Sequence, residues 1–268
     1  MAQPTIITLT TDFGLSDHFV GTMKAVMLGI NSSAQFIDLS HHVISHDVFD
    51  GALTIGLAYP YFPAGSVHLV VVDPGVGSAR RPIVARTAQH TFVAPDNGVL
   101  SIVYEREESV EVRHVTADHY FLKPVSNTFH GRDVFAPIAA WLSRGIETSK
   151  LGETITDYVR FVPPKPRRLE DGDVRGAIIK VDKFGNLITN IGASDVPELF
   201  APAPPAFEMS VNQHKVTQIY SSYSMGRTGE FFAIAGSSGL IEICQNRASA
   251  AKSLGAARGT ELKVSLKR

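Results

Sequence analysis

The sequence predicts an α/β protein, with an N-terminal α/β domain built on a largely parallel sheet and a smaller C-terminal β-barrel domain. Three observations carry that expectation. The first half alternates β-branched apolar runs with helical stripes, the rhythm of βαβ units. A proline-rich, charged stretch follows, Phe161-Val162-Pro163-Pro164-Lys165-Pro166-Arg167-Arg168-Leu169-Glu170-Asp171-Gly172-Asp173. Beyond it come short β-like runs. The domain reading is therefore 1–162 for the α/β domain, 163–174 for an extended linker and 175–268 for the barrel.

The elements follow in order. Thr5 to Thr11 is β-branched and apolar and ends in Asp12-Phe13-Gly14, a strand running into a turn. Phe19, Val20, Met23, Val26, Met27 and Ile30 recur every three to four residues and predict an amphipathic helix. Phe36 to Leu39 reads as a short strand, Val48 to Leu57 as a second helix and Val67 to Val72 as a buried strand. Asp133 to Leu142 reads as a helix whose Val134, Ile138, Trp141 and Leu142 pack into a core, with Asp133 as a first-turn acid complementing the helix dipole. After the linker, strands are expected at Ala177–Val181, Leu187–Ile191, Val216–Tyr220, Phe231–Ala235, Leu240–Cys244 and Leu262–Leu266. No internal repeat or low-complexity segment interrupts the pattern.

Composition narrows the function classes. At 268 residues and 44% hydrophobic, the chain can bury a full core. A net charge of −1 with 19% charged residues provides no basic stripe, which argues against nucleic acid and anionic membrane as partners and for a small molecule. A single cysteine, Cys244, cannot form an internal disulfide, and Met1-Ala2-Gln3-Pro4 lacks the basic start of a signal peptide. No apolar run approaches membrane-spanning length. A soluble, cytoplasmic protein is expected.

The richest stretch is Val70-Val71-Val72-Asp73-Pro74-Gly75-Val76-Gly77-Ser78-Ala79-Arg80-Arg81, where a buried strand ends in a carboxylate, a tight turn and two guanidiniums. In open α/β sheets, ligands bind beyond the carboxyl ends of strands, although Asp-Pro-Gly is also ordinary turn chemistry. Two familiar motifs fail. Arg80 occupies the third-glycine position of a dinucleotide fingerprint, and Leu240 the final glycine of a nucleophile elbow begun at Gly236-Ser237-Ser238-Gly239. His41, His42 and His46, with Asp38 and Asp47, offer metal-ligand chemistry without a recognised spacing. His130, in Ser126-Asn127-Thr128-Phe129-His130-Gly131-Arg132-Asp133, sits where a loop enters a helix and can present an imidazole. Asp182-Lys183-Phe184-Gly185-Asn186 reads as a hairpin turn carrying a carboxylate, an exposed ring and an amide, a set that can bind an amine, stack on a base and read its edge.

Taken together, Thr10-Thr11-Asp12-Phe13-Gly14, Val72 to Gly77 with Arg80-Arg81, Ala94-Pro95-Asp96-Asn97-Gly98, Thr128 to Asp133 and Asp182 to Asn186 resemble the motifs of the S-adenosyl-L-methionine hydroxide adenosyltransferases. These are adenosine-forming hydrolases related to fluorinases and chlorinases, and the resemblance covers nearly the whole chain. It implies hydrolysis of S-adenosyl-L-methionine to adenosine and L-methionine, with no cofactor and no metal, and a homotrimer whose sites lie between one subunit's N-terminal domain and its neighbour's C-terminal domain. Carried over by position, Asp73, Arg80 and His130 form a polar triad that holds and activates water. Asp12 holds the ribose hydroxyls, Asp17, Asp182 and Ser237 bind the methionine end, Asn186 reads the adenine edge, and Phe184 lines the base pocket. His46 stands where the halogenases place an aromatic over the ribose, and Gln245 and Asn246 receive no assignment.

The chemistry suits these residues. A sulfonium is already a good, neutral leaving group, so the main task is to aim an oxygen at the 5′-carbon. A halogenase would instead desolvate chloride or fluoride, which a carboxylate at Asp73 would repel. The chain also lacks the insertion that fluorinase-like sequences carry after the strand near Arg86. A non-catalytic nucleoside-binding protein is the third reading, and turnover alone separates it from the first.

Overall fold

In the computed structural model, which describes residues 5–266, strands and helices follow each other through the first half as the periodicity predicts. The elements are β1 (Ile6–Thr11), α1 (Phe19–Ile30), β2 (Gln35–Ser40), α2 (Val48–Ala58), β3 (Val67–Val71), β4 (Pro82–Arg86), β5 (Thr91–Pro95), α3 (Ser101–Arg106), β6 (Glu111–His114) and α4 (Ala136–Ser143). They build one six-stranded sheet in the order β2-β1-β3-β5-β4-β6. The β2-β1-β3-β5 stretch is parallel, and β4 pairs antiparallel with both β5 and β6.

Alternation along β3 shows how the sheet is buried. Val67, Leu69 and Val71 pack with α1 and α4 residues such as Met23, Met27 and Ile138. Val70 and Val72 join Ile55 and Val103 of α2 and α3 on the other face. A strand covered on both faces reads as a near-continuous apolar run, and that is the Val67–Val72 pattern, interrupted by the buried His68. Because α1 covers one face and α2 the other, the chain reverses direction across the sheet between β1 and β3. Their carboxyl ends, which carry Asp12 and Asp73, therefore lie at the topological switch point where α/β sheets bind ligands.

The chain divides into two compact units, Met1–Pro163 and Pro164–Arg268. The second contains β7 (Arg167–Arg168), β8 (Val174–Val181), β9 (Leu187–Gly192), β10 (Phe207–Val211), β11 (His214–Val216), β12 (Ile219–Tyr220), β13 (Phe231–Ala235), β14 (Leu240–Gln245), α5 (Ala250–Leu254) and β15 (Glu261–Leu266). Its main path, β11-β10-β15-β8-β9-β14-β13-β12, is antiparallel except for β12-β13 and curls into a half-barrel, with β7 on β8. Part of the segment read as linker thus lies in this unit, where Arg167 and Arg168 pair with Arg175 and Val174. The expected Val216–Tyr220 strand is split between the end of β11 and β12. Strand β10, absent from the sequence expectation, buries Phe207, Met209 and Val211 on alternate positions. Among the described residues, no helix is long and apolar enough to cross a membrane.

Candidate active site

Asp73 leaves the end of β3 and is gripped at once by Arg80. Arg80 Nε donates to both Asp73 carboxylate oxygens at 3.0 Å, and Nη2 donates to Oδ2. The two side chains are 8% and 5% exposed, so this is a buried ion pair of the fork-on-carboxylate kind. The turn between them is tight. Val76 N–H donates to Asp73 O at 3.2 Å, and Ser78 Oγ donates to Gly75 O at 2.6 Å. Gly77 (φ +78°) lies against the 127 loop so closely that a Cβ there would stand 2.3 Å from Asn127 O. Only glycine suits such a position.

The same guanidinium reaches His130: Arg80 Nη2 donates to His130 Nδ1 at 2.8 Å. A guanidinium has only donors, so Nδ1 is the unprotonated nitrogen and the neutral imidazole carries its hydrogen on Nε2. Burial pushes the His130 pKa below the usual histidine value, and the positive charge of Arg80 adds to that shift. Arg80 Nη1 is buried without a hydrogen-bond partner among the described residues. Asp73 and His130 line a small cavity of about 100 Å³, walled by Phe13, Phe19 and Phe129. These three rings meet edge to face at 5.2–6.1 Å. Such a pocket has room for a few waters and little else.

His130 is presented by a loop whose geometry differs from the sequence expectation. The helix expected from Asp133 begins instead as a π-helical turn, Gly131–Phe135, leading into α4. Such turns favour functional sites. Asp133 is fully buried and acts as more than a first-turn acid: it accepts from Ser126 N–H (2.8 Å) and from Arg132 Nε and Nη2 (2.6 and 2.9 Å). Those bonds close the 126–133 loop beneath His130.

At the neighbouring strand end, Asp12 Oδ2 accepts the backbone N–H of His46 at 2.8 Å. His46 adopts a left-handed backbone (φ +65°), uncommon for a residue with a side chain. Asp17 lies in the exposed loop before α1. The histidine cluster does not converge on a metal site. His41 Nδ1 bonds Thr11 Oγ1 at 2.8 Å and its Nε2 lies 3.0 Å from Asp38 Oδ1, while His42 is exposed. Among the described residues, no three His, Cys, Asp or Glu side chains are grouped to hold a metal.

The second unit holds a larger cavity of about 590 Å³, within the size range of small-molecule sites. Asp182, Phe184 and Asn186 line it from the β8–β9 turn. Asp182 Oδ1 accepts both the Phe184 and Asn186 N–H groups at 2.8 Å, and Oδ2 accepts Asn186 Nδ2 at 2.9 Å. Asn186 is thereby buried and fixed, whereas the Phe184 ring is 76% exposed. Gly185 (φ +86°) lets the turn lie on Ser249, whose Oγ would stand 2.1 Å from an added Cβ. Ser237 lies on the exposed β13–β14 turn, outside the lining of this cavity.

Tyr223, Gln245, Asn246 and Arg247 also line the cavity and received no role from the sequence. Tyr223 Oη donates to Glu242 Oε2 at 2.8 Å, and burial raises the Glu242 pKa. Gln245-Asn246-Arg247 ends β14 in a polar turn, the same strand-end signal that marks Asp12 and Asp73. Tyr223 sits in an isolated single turn with no pattern to mark it.

Family models for the SAM hydroxide adenosyltransferase N-terminal and C-terminal domains match residues 7–152 and 176–263. The chain belongs to the SAM hydroxide adenosyltransferase family. It is 34% identical to the (R)-S-adenosyl-L-methionine hydrolase of Salinispora tropica, over 98% of this chain and 99% of that one. The hydrolase of the same name from Thermus thermophilus is also 34% identical, over 95% and 97%. A fluorinase from an Actinoplanes species is 29% identical over 71% and 73%. Among solved structures, an uncharacterized conserved protein from Thermotoga maritima superposes with a TM-score of 0.90 at 36% identity, covering 96% of this chain and 99% of that one. In this SAM hydroxide adenosyltransferase family member, the first unit carries Asp12, Asp17, Asp73, Arg80 and His130, and the second carries Asp182, Phe184, Asn186 and Ser237.

Proposed function

We propose that this chain is an enzyme that hydrolyses S-adenosyl-L-methionine to adenosine and L-methionine. Water oxygen bonds to the 5′-carbon, the carbon–sulfur bond breaks with its electron pair going to sulfur, and one proton is released. The observation that carries the reading is the buried Asp73–Arg80 pair, with His130 bonded to it, beside a cavity of water dimensions, in a chain similar along nearly its whole length to named hydrolases.

The hydrogen bonds suggest a division of labour. His130 Nδ1 is occupied by Arg80, so the imidazole serves the water as a donor through Nε2–H and is not its base. Asp73 retains lone pairs beyond those used by Arg80 and accepts the water hydrogen. The free donor at Arg80 Nη1 suits a water or hydroxide oxygen. Arg80 holds the Asp73 carboxylate in a fork of hydrogen bonds, so the main work of the pair is to orient the nucleophile. In this reading Asp12 binds the ribose hydroxyls, and Asp17, Asp182 and Ser237 bind the methionine end. Phe184 stacks on the adenine, and Asn186 reads its edge.

The sulfonium leaves without Lewis-acid help, so we propose a metal-independent and cofactor-independent reaction in the cytoplasm. We further propose a homotrimer in which each site combines the first unit of one subunit with the second unit of another; the family resemblance supports this assembly. A halogenase is less supported, because the fluorinases are more distant and a carboxylate stands at the nucleophile position. The reaction is tested by incubation with S-adenosyl-L-methionine in oxygen-18 water containing a chelator. Heavy oxygen is expected at the adenosine 5′ position. Unlabelled adenosine, a 5′-chloro product at high chloride, or no product would each reject the assignment.

A further inference from the structure

Asp182 makes its bonds within its own turn. One oxygen holds the backbone of Phe184 and Asn186, and the other holds the Asn186 side-chain nitrogen at 2.9 Å. An ionised carboxylate can only accept hydrogen bonds, so the amide nitrogen, and not the oxygen, must face it. The Asn186 carbonyl oxygen then faces the other way, on a residue that lines the 590 Å³ cavity and is 7% exposed. Among the described residues no donor is bonded to that oxygen. The cavity wall therefore carries an acceptor whose polarity is set by Asp182, four residues earlier in the same turn.

We propose that Asp182 is a positioning residue that fixes the orientation of the Asn186 amide and thereby sets the cavity's preference for a base edge that donates a hydrogen bond. The inference rests on the adenosyl group entering this cavity. An exocyclic amine, as on a 6-aminopurine, donates to Asn186 Oδ1. A 6-oxopurine brings an acceptor to the same place, leaving two oxygens opposed and unpaired, a mismatch that polar sites reject strongly. Asp182 thus acts on the base through Asn186, in addition to the methionine end that the proposed function gives it.

The substitution Asp182→Asn separates this role from simple support of the turn. Its remaining oxygen can still accept the two backbone N–H groups, while the new amide nitrogen replaces the acceptor that faced Asn186. Two amide nitrogens cannot bond each other, so the Asn186 amide turns over, takes that hydrogen on its oxygen and presents its own nitrogen to the cavity. The preference should move toward the 6-oxo base.

The experiment is calorimetric titration of the full-length chain with adenosine and with inosine. The native protein should bind adenosine at least about tenfold more tightly. In Asp182→Asn that ratio should shift toward inosine by at least about tenfold. Asn186→Ala, which leaves Asp182 and its backbone bonds in place, should bring the ratio near unity and decides the matter if Asp182→Asn fails to fold. Equal weakening of both nucleosides in Asp182→Asn, or native binding of adenosine with no preference, overturns the inference while leaving the hydrolase reading intact. Native protein that binds neither nucleoside and releases no adenosine overturns both.

Discussion

The two cavities are built on opposite principles. In the first unit, charged side chains are buried, paired and locked around a space of about 100 Å³. In the second, a space of about 590 Å³ is rimmed by an exposed ring and by an amide held in place by its own turn. Buried, preorganised charge stabilises a changing charge distribution and discriminates poorly among large ligands. A broad, partly apolar cavity with a few oriented polar groups does the reverse. In the proposed function the nucleophile is held in the first unit and the base is recognised in the second, and each substitution below tests one side.

The largest effect is expected at Asp73. Asp73→Asn keeps the shape but removes the charge that pairs with Arg80 and the acceptor for water, so kcat should fall about 10²–10⁴-fold with KM little changed. Steady-state kinetics decide. A variant within a few-fold of the parent would reduce Asp73 to a turn residue, whereas an effect confined to KM would move it to the recognition side.

Phe184 should show the mirror image. Its ring is mostly exposed, so Phe184→Ala removes little packing and should leave the melting temperature nearly unchanged. A base stacked on an aromatic ring gains about 1–3 kcal/mol, which corresponds to a KM increase of roughly 5- to 150-fold with kcat largely kept. A fall in kcat with unaltered KM would erase the proposed distinction between the units.

Much of this was legible in the sequence because strands, helices and strand ends follow local rules. The 3.6-residue stripe of α1 and the buried strand β3, Val67–Val71, appear as the pattern predicts. The ends of β1 and β3 announce themselves by an abrupt change from valine and threonine to aspartate. What was missed depends on tertiary context. β10 alternates buried Phe207, Met209 and Val211 with polar residues, but it is short and follows an Ala-Pro run that reads as loop. The π-helical turn at Gly131 leaves no mark in a 3.6-residue pattern. The lattice of bonds around Asp182 and the place of Tyr223 on the wall of a cavity arise from neighbours that the linear order does not bring together.

The smallest predicted effect concerns pH, and it separates two uses of His130. If the imidazole were the base, Nδ1 or Nε2 would have to be free to take a proton, and the rate would rise as the neutral form appeared near the ordinary histidine pKa. In the observed geometry Nδ1 already accepts from Arg80 Nη2, and Nε2 carries the hydrogen. Protonation adds a hydrogen at Nδ1, directly opposite a guanidinium donor, so it must break that bond and place two cations together. Burial acts in the same direction and contributes most to the downward shift. The working form is therefore the neutral one, present above the lowered pKa and lost as the pH falls through it. Turnover at saturating substrate should stay flat as the pH falls through 6.5, the ordinary histidine value, and decline only below it. In the variant Arg80→Lys, a single ammonium replaces the fork that holds both Asp73 and His130. The acid limb should then change shape along with the rate. A profile that bends at or above 6.5 in the parent would mean that His130 gains its proton readily, and would reject the Arg80–His130 hydrogen bond as part of the working site.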